Sequence, residues 1–278
     1  MSKKLLALYA LKYNPFCQEV PTSALCVTPA IESFCWRLVH QIGEGGFALI
    51  SGDPGTGKSA VLRILADRIG ALRDARVGIL SRPQASVADF YRELGDLFGV
   101  TLTASNRWGG AKALRQKWQA HTEASLQRPV LLIDEAQAMS PAALCELRLL
   151  SSAELDSRSL LTVVLAGDER LVSKFQTEDL LPLASRIRCR LRCEPATPGQ
   201  LKECLCQHMQ KAGNPHLIPA TLVDTLTEHA AGNYRVLMNM ANDLLAVALQ
   251  RECDHIDEKL FFEVFALNPK TTRGRSKS

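Results

Sequence analysis

The chain has 278 residues, 46% of them apolar, 6% aromatic and 22% charged, which suffices for one large or two modest domains, each with its own core. That balance excludes a disordered chain, and no apolar run is long enough to span a bilayer. The net charge of +4 is matched by Lys270, Arg273, Arg275 and Lys277 in an acid-free tail, so the body is near neutral.

The N-terminal stretch to about Val27 reads as irregular, interrupted by Pro15 and Pro21. Its apolar run Leu5–Ala10 is short, soon meets Lys12, Asn14 and Pro15, and has no small-residue cleavage site, so it does not read as a signal peptide. A cytoplasmic setting with no membrane partner is expected. Thr28-Pro29 supplies a capping hydroxyl and a proline at the first helical position, predicting a helix to about Gly43. Phe47–Ile50, bounded by glycines, predicts a buried strand. It leads into Gly52-Asp53-Pro54-Gly55-Thr56-Gly57-Lys58-Ser59 and a helix carrying Val61, Leu62, Leu65 and Ile69.

Val77–Leu80 predicts a second strand, Ser86 and Asp89 cap a helix through Phe98, and another helix spans about Gly110 to Ala124. Val130–Ile133 is the third strand and ends at Asp134-Glu135; Ser140-Pro141 opens the next helix. Leu160–Leu165 is the fourth strand, closed by Gly167-Asp168. From Arg186 to Cys193 arginine alternates with Ile187, Cys189, Leu191 and Cys193, which predicts a fifth strand with one wet face, suited to a sheet edge. After Thr197-Pro198 only helices follow: 198–212, about 220–231, 233–251 and 257–265.

Alternating strands and helices predict an α/β three-layer sandwich around a five-stranded parallel sheet, followed by a small all-helical domain. The expected boundaries are an N-terminal segment (1–27), a P-loop core (28–195), a helical domain (196–266) and a basic tail (267–278). The tail is either a solubilising end or a contact to nucleic acid or an acidic partner. The nine cysteines are odd in number, loosely spaced and without a Cys-x-x-Cys pair. They read as reduced, packed thiols rather than a disulfide framework or zinc site.

Gly52-x-x-x-x-Gly57-Lys58-Ser59 between a strand and a helix has the context a P-loop requires. Glycines let backbone N–H groups wrap the phosphates of ATP, with Asp53, Pro54, Gly55, Thr56 and Ala60 completing the loop. Lys58 brings positive charge to the β- and γ-phosphates, Ser59 is the expected Mg2+ ligand, and the helix N-terminus adds its dipole. A strand ending in Asp134-Glu135 places one carboxylate toward Mg2+ and the next toward an attacking water, with Glu135 as catalytic base.

With both motifs placed, the chain from about Tyr13 to Phe265 resembles the AAA+ ATPases. The resemblance implies that Asp168, at the end of the fourth strand, occupies the position that senses the γ-phosphate, where asparagine or threonine is more usual. It implies that Arg186 in Ser185-Arg186 is the arginine finger presented to a neighbouring subunit, with Arg188 a rival two residues on. It further implies that Arg235 in Gly232-Asn233-Tyr234-Arg235 reaches the nucleotide from the helical lid. Spread negative charge in the transition state rewards such guanidinium groups.

Tyr13-Asn14-Pro15-Phe16 and Leu132-Ile133-Asp134-Glu135-Ala136-Gln137 are similar to segments of the ExeA-like group. That group includes secretion ATPases and the transposon-encoded regulators TniB, TnsC, IstB and MuB. The resemblance implies a homo-oligomer, ring or helical filament, that assembles on double-stranded DNA with ATP, recruits a transposase and leaves on hydrolysis. Arg82, Arg107, Lys112, Arg115 and Lys117 are candidate phosphate-backbone contacts, each equally readable as solvated surface charge. Trp108 reads either as packing or as a DNA contact. A secretion or envelope-assembly ATPase and a slowly hydrolysing, nucleotide-switched scaffold are the competing expectations.

Overall fold

A computed structural model describes residues 3–80, 83, 86–100, 107–125, 127–153, 158–253 and 255–266. The chain forms two compact units. One runs from Val27 to Glu194; the other joins the chain up to Cys26 to the chain from Pro195 onward.

The Val27–Glu194 unit contains β1 (Gly46–Gly52), β2 (Ala75–Leu80), β3 (Arg128–Ile133), the two-residue strands β4 (Ser152–Ala153) and β5 (Arg158–Ser159), β6 (Thr162–Gly167) and β7 (Ile187–Cys193). Five of these form one parallel sheet in the order β2-β3-β6-β1-β7, while β4 and β5 pair separately and antiparallel. This is the expected five-stranded sheet. The inner strands β3, β6 and β1 are buried almost throughout, as sheets covered on both faces require. The edge strand β7 alternates instead, with Ile187, Cys189 and Leu191 buried and Arg188 and Arg190 exposed. The fourth main strand begins at Thr162 rather than Leu160, where it comes into register with Gly46 of β1.

The helices of this unit begin where the sequence supplies caps. Thr28 accepts from the Ile31 amide at the start of α2 (Pro29–Gln41), and Ser140 caps α6 (Pro141–Ser151) in the same way. Ser86 accepts from the Asp89 amide to open α4 (Val87–Phe98), which ends on Gly99 in the left-handed conformation. The P-loop helix α3 (Lys58–Gly70), α5 (Arg107–Ser125), α7 (Glu169–Lys174) and α8 (Leu181–Ala184) complete the unit. Its core gathers Phe90, Leu94 and Phe98 of α4 and Trp118 of α5 against Leu131 and Val163 of the sheet. Phe98 and Trp118 meet edge-on at 5.3 Å.

The helical unit contains α1 (Lys3–Leu8), α9 (Pro198–Ala212), α10 (Ala220–Ala230), α11 (Tyr234–Gln250) and α12 (Glu258–Ala266). A reciprocal capping box between Thr197 and Gln200 starts α9. The N-terminal segment, expected to be irregular, instead forms α1 and a 3-10 turn at Thr22–Ala24. The cause is tertiary. Leu5, Tyr9, Leu11 and Phe16 share one core with Leu201, Leu205, Leu226 and Leu244. Backbone and side-chain bonds tie the segment down: Lys12 N–H donates to the Ala212 carbonyl at 2.8 Å, and Asn14 donates to Asn242 at 2.8 Å. Tyr9 Oη donates to the Cys253 carbonyl at 2.9 Å. Among the described residues no helix is long and apolar enough to cross a membrane.

Candidate active site

Parallel strands present their carboxyl ends on one side of the sheet, where open α/β sheets bind ligands. In this strand order β6 lies between β1 and β3, so three chemistry-bearing segments emerge side by side: the P-loop after β1, Asp134-Glu135 after β3 and Asp168 after β6.

Gly52, Gly55 and Gly57 carry φ of 151°, 87° and 98°, a conformation that favours glycine. At Gly52 a Cβ would lie 2.2 Å from the Cys193 carbonyl oxygen, so the absence of a side chain also lets β1 approach the end of β7. Lys58 is buried at the start of α3, and its Nζ donates to the Gly52 and Asp53 carbonyls at 2.8 and 2.9 Å. Thr56 Oγ1 donates to the same Asp53 carbonyl at 2.8 Å. The loop is thus held in a closed cradle by its own cation, with Asp53, Pro54 and Ser59 exposed at its surface and Ala60 half-buried behind. A loop turned by three positive-φ glycines, a buried ammonium and a helix N-terminus fit a triphosphate. The hydroxyl of Ser59 and the carboxylate of Asp134 are the hard oxygen donors that Mg2+ prefers.

Glu135 is exposed and sits in the left-handed region at φ 51°, a strained position for a side chain of its size. Its amide donates to Asp134 Oδ1 at 2.9 Å. The buried Gln137, three residues past Asp134, holds the site together. Its Nε2 donates to Glu135 Oε2 at 2.5 Å, and its Oε1 accepts from the Asp168 amide at 3.3 Å. The Gln137 main chain is itself pinned, its carbonyl accepting from Lys174 Nζ at 2.6 Å. Gly167 makes room for this bridge, because a Cβ there would come within 2.7 Å of both Gln137 Oε1 and Leu171. One amide side chain therefore links the Glu135 carboxylate after β3 to the end of β6.

Asp168 stands at the expected place, and its carboxylate is engaged. It caps α7 by accepting from the Arg170 amide at 2.9 Å, and accepts from the Arg170 guanidinium at 2.9 and 2.7 Å. The Arg170 bond, foremost, holds this carboxyl below its ordinary range, and the charge of Lys58 adds to the effect. Arg170 is exposed, and Glu135 also raises its affinity for a proton. The end of β6 thus presents a carboxylate already joined to a cation. Gln137 and Arg170 were both missed by sequence reading. The available signals were an amide in Asp-Glu-Ala-Gln and a cation two residues after a capping aspartate.

Arg186 lies just before β7 rather than within it, half-buried, and its Nη1 donates to the Pro182 carbonyl of α8 at 2.9 Å. Arg188, the rival finger, is on the wet face of β7 and forms an ion pair with Glu44. Arg235 belongs to the helical unit, exposed in the first turn of α11 beyond the Asn233 cap. Of the candidate DNA contacts, Arg82 and the Arg107 side chain lie outside the described residues, as does the Trp108 side chain. Lys112 is exposed and Lys117 half-buried on α5; Arg115 donates to the Leu149 carbonyl of α6, so part of its guanidinium serves the fold.

The sheet order, the P-loop after β1 and the carboxylate pair two strands away make this an α/β fold of the AAA+ ATPase type. Residues 40–175 match the family model described as AAA domain. The chain is 30% identical over 212 residues to General secretion pathway protein A of Aeromonas hydrophila, a stretch that is 74% of this chain and 38% of that protein. It therefore spans well under half the length of that curated relative. Among solved structures it superposes on the Aeropyrum pernix ORC2 protein (ADPNP-ADP complexes) with a TM-score of 0.72 at 14% identity, covering 95% of this chain and 74% of that one. For the Aeropyrum pernix ORC1 protein in complex with DNA the TM-score is 0.68 at 17% identity, with 96% and 71% covered.

Proposed function

We propose that this chain is an ATP-hydrolysing regulator of DNA transposition. In this reading it assembles with copies of itself on double-stranded DNA when ATP is bound, recruits a transposase, and leaves on hydrolysis. The observation that carries the ATPase is the convergence of the P-loop, the Glu135–Gln137 bridge and the Asp168–Arg170 pair at neighbouring strand ends.

The backbone amides of Gly55 to Ser59 bind the β- and γ-phosphates, and Lys58 exchanges its two loop carbonyls for phosphate oxygens. Ser59 and Asp134 would hold Mg2+, which would supply positive charge beside the phosphate oxygens. Glu135 takes a proton from the attacking water while Gln137 fixes the carboxylate that receives it. Arg186 of one copy serves the ATP of the next, and Arg235 reaches the nucleotide from the helical unit. Assembly and hydrolysis are then one property. The DNA part of the reading rests on the group resemblance and on the likeness in fold to a protein described in complex with DNA. Lys112, Lys117 and the basic tail are its phosphate contacts, so binding weakens steeply with salt and reads little sequence.

The test is electron microscopy of the protein on duplex DNA with ATP, ADP or a non-hydrolysable analogue. ATP and the analogue should give assemblies on DNA, ADP none, and Glu135→Gln should bind ATP and remain assembled. No nucleotide-dependent assembly on DNA sinks the transposition reading. The second reading, a secretion or envelope-assembly ATPase, is favoured by the 30% identity to the secretion protein. It predicts hydrolysis that duplex DNA leaves unchanged.

A further inference from the structure

Three metal-ligating side chains that are far apart in sequence come together in the helical unit. Cys204 and His208 lie four residues apart on α9 and so share a helix face. Cys26, the last residue of the N-terminal segment, joins them. The two sulfurs and a ring nitrogen of His208 all lie within 4.8 Å of one another, with Cys204 and His208 buried and Cys26 half-buried. Both cysteines are free thiols, as expected, but spacing along the chain conceals that folding brings them together with a histidine.

The surroundings arrange these groups as ligands. His208 Nδ1 lies 2.8 Å from the Pro15 carbonyl. A carbonyl only accepts, so Nδ1 carries a proton there, and Nε2 is the nitrogen left to face the two sulfurs. This is the arrangement in which a metal-binding imidazole is oriented by a main-chain oxygen. Gln207 Nε2 donates to the Leu25 carbonyl at 3.3 Å, fixing the backbone next to Cys26.

We propose that Cys26, Cys204 and His208 bind a zinc ion through two thiolates and one imidazole, with water at the fourth position. Two sulfurs with one nitrogen suit zinc and not a hard cation. Tetrahedral zinc with bonds of about 2.3 Å to sulfur sets neighbouring sulfurs about 3.8 Å apart, within reach of the observed cluster by small side-chain rotations. The ion would pin the end of the N-terminal segment to α9. A Cys26–Cys204 disulfide is the competing outcome; it would leave the orientation of His208 without a purpose.

The experiment titrates the reduced, metal-free full chain with Co2+ as a spectroscopic probe and then with Zn2+. Support is one ion per chain, the visible bands of a tetrahedral site with sulfur-to-cobalt charge transfer, and displacement by zinc. Cys26→Ser, Cys204→Ser and His208→Ala should each weaken binding more than the roughly 10–100-fold typical of an outer-shell change, while Cys206→Ser, exposed on the same helix, should not. Should a ligand variant misfold, thiol alkylation of the unaltered chain decides: zinc must protect Cys26 and Cys204 and leave Cys206 reactive. No tetrahedral cobalt spectrum, equal binding by well-folded variants, or no protection overturns the proposal. So does a mass short of two hydrogens that thiol reductant restores, which marks the disulfide.

Discussion

The two units solve different problems with the same chain. The sheet unit is continuous, from Val27 to Glu194, and the phosphate loop of its site is built from main chain: glycine conformations, a strand end and a helix start. The helical unit is discontinuous, and side chains join its parts: Asn14 to Asn242, Tyr9 to the Cys253 carbonyl, His208 to the Pro15 carbonyl. A site made of main chain is written in consecutive residues. A unit stapled by side chains across the length of the chain is not.

Five substitutions probe this contrast. The largest effect is expected at the edge of the sheet unit, where Arg186→Ala should lower ATP turnover by about 10³–10⁵-fold, as removal of an arginine finger does. Arg188→Ala, which breaks a surface ion pair with Glu44, should leave turnover nearly intact. Steady-state hydrolysis with wild-type subunits mixed in separates action in trans from local damage. In the helical unit, Leu244→Ala removes a fully buried side chain and should cost about 2–5 kcal/mol. Denaturant unfolding would show whether the sheet unit keeps its own transition; a single shared transition would break the contrast. Gln137→Leu should lower kcat by about a hundredfold through misplacement of Glu135, with ATP affinity unchanged. A change in affinity alone would assign Gln137 to binding. Asp168→Ala removes the cap of α7 and should cost about 1 kcal/mol, read as a small shift in the unfolding midpoint.

Much of the sheet unit was legible. The P-loop and Asp134-Glu135 follow buried strands, and both motifs are local requirements of phosphate chemistry. The alternation from Arg186 to Cys193 announced an edge strand, and β7 is one. The strength of the Thr28, Ser140 and Thr197 caps made their helix starts clear. What escaped was non-local. Lys3–Leu8 packs with residues about two hundred positions on, a partnership that its own sequence does not announce. Gln137 is one of many amides until β3 and β6 are neighbours, and Cys26 is one of nine thiols until α9 lies beside it.

The divided helical unit also sets an order of events during synthesis. Leu5, Tyr9 and Phe16 leave the ribosome well before Leu201, Leu205 and Leu244, with which they share a core and which emerge only after all of Val27–Glu194 has been made. At about 5–20 residues per second, those apolar side chains wait roughly ten to fifty seconds without their partners. The sheet unit can fold meanwhile, since everything it needs is contiguous. By bringing its two ends nearer in space or holding them apart, it alters the effective concentration at which the early segment finds α9. Completing the helical unit is therefore the closing of a very long loop.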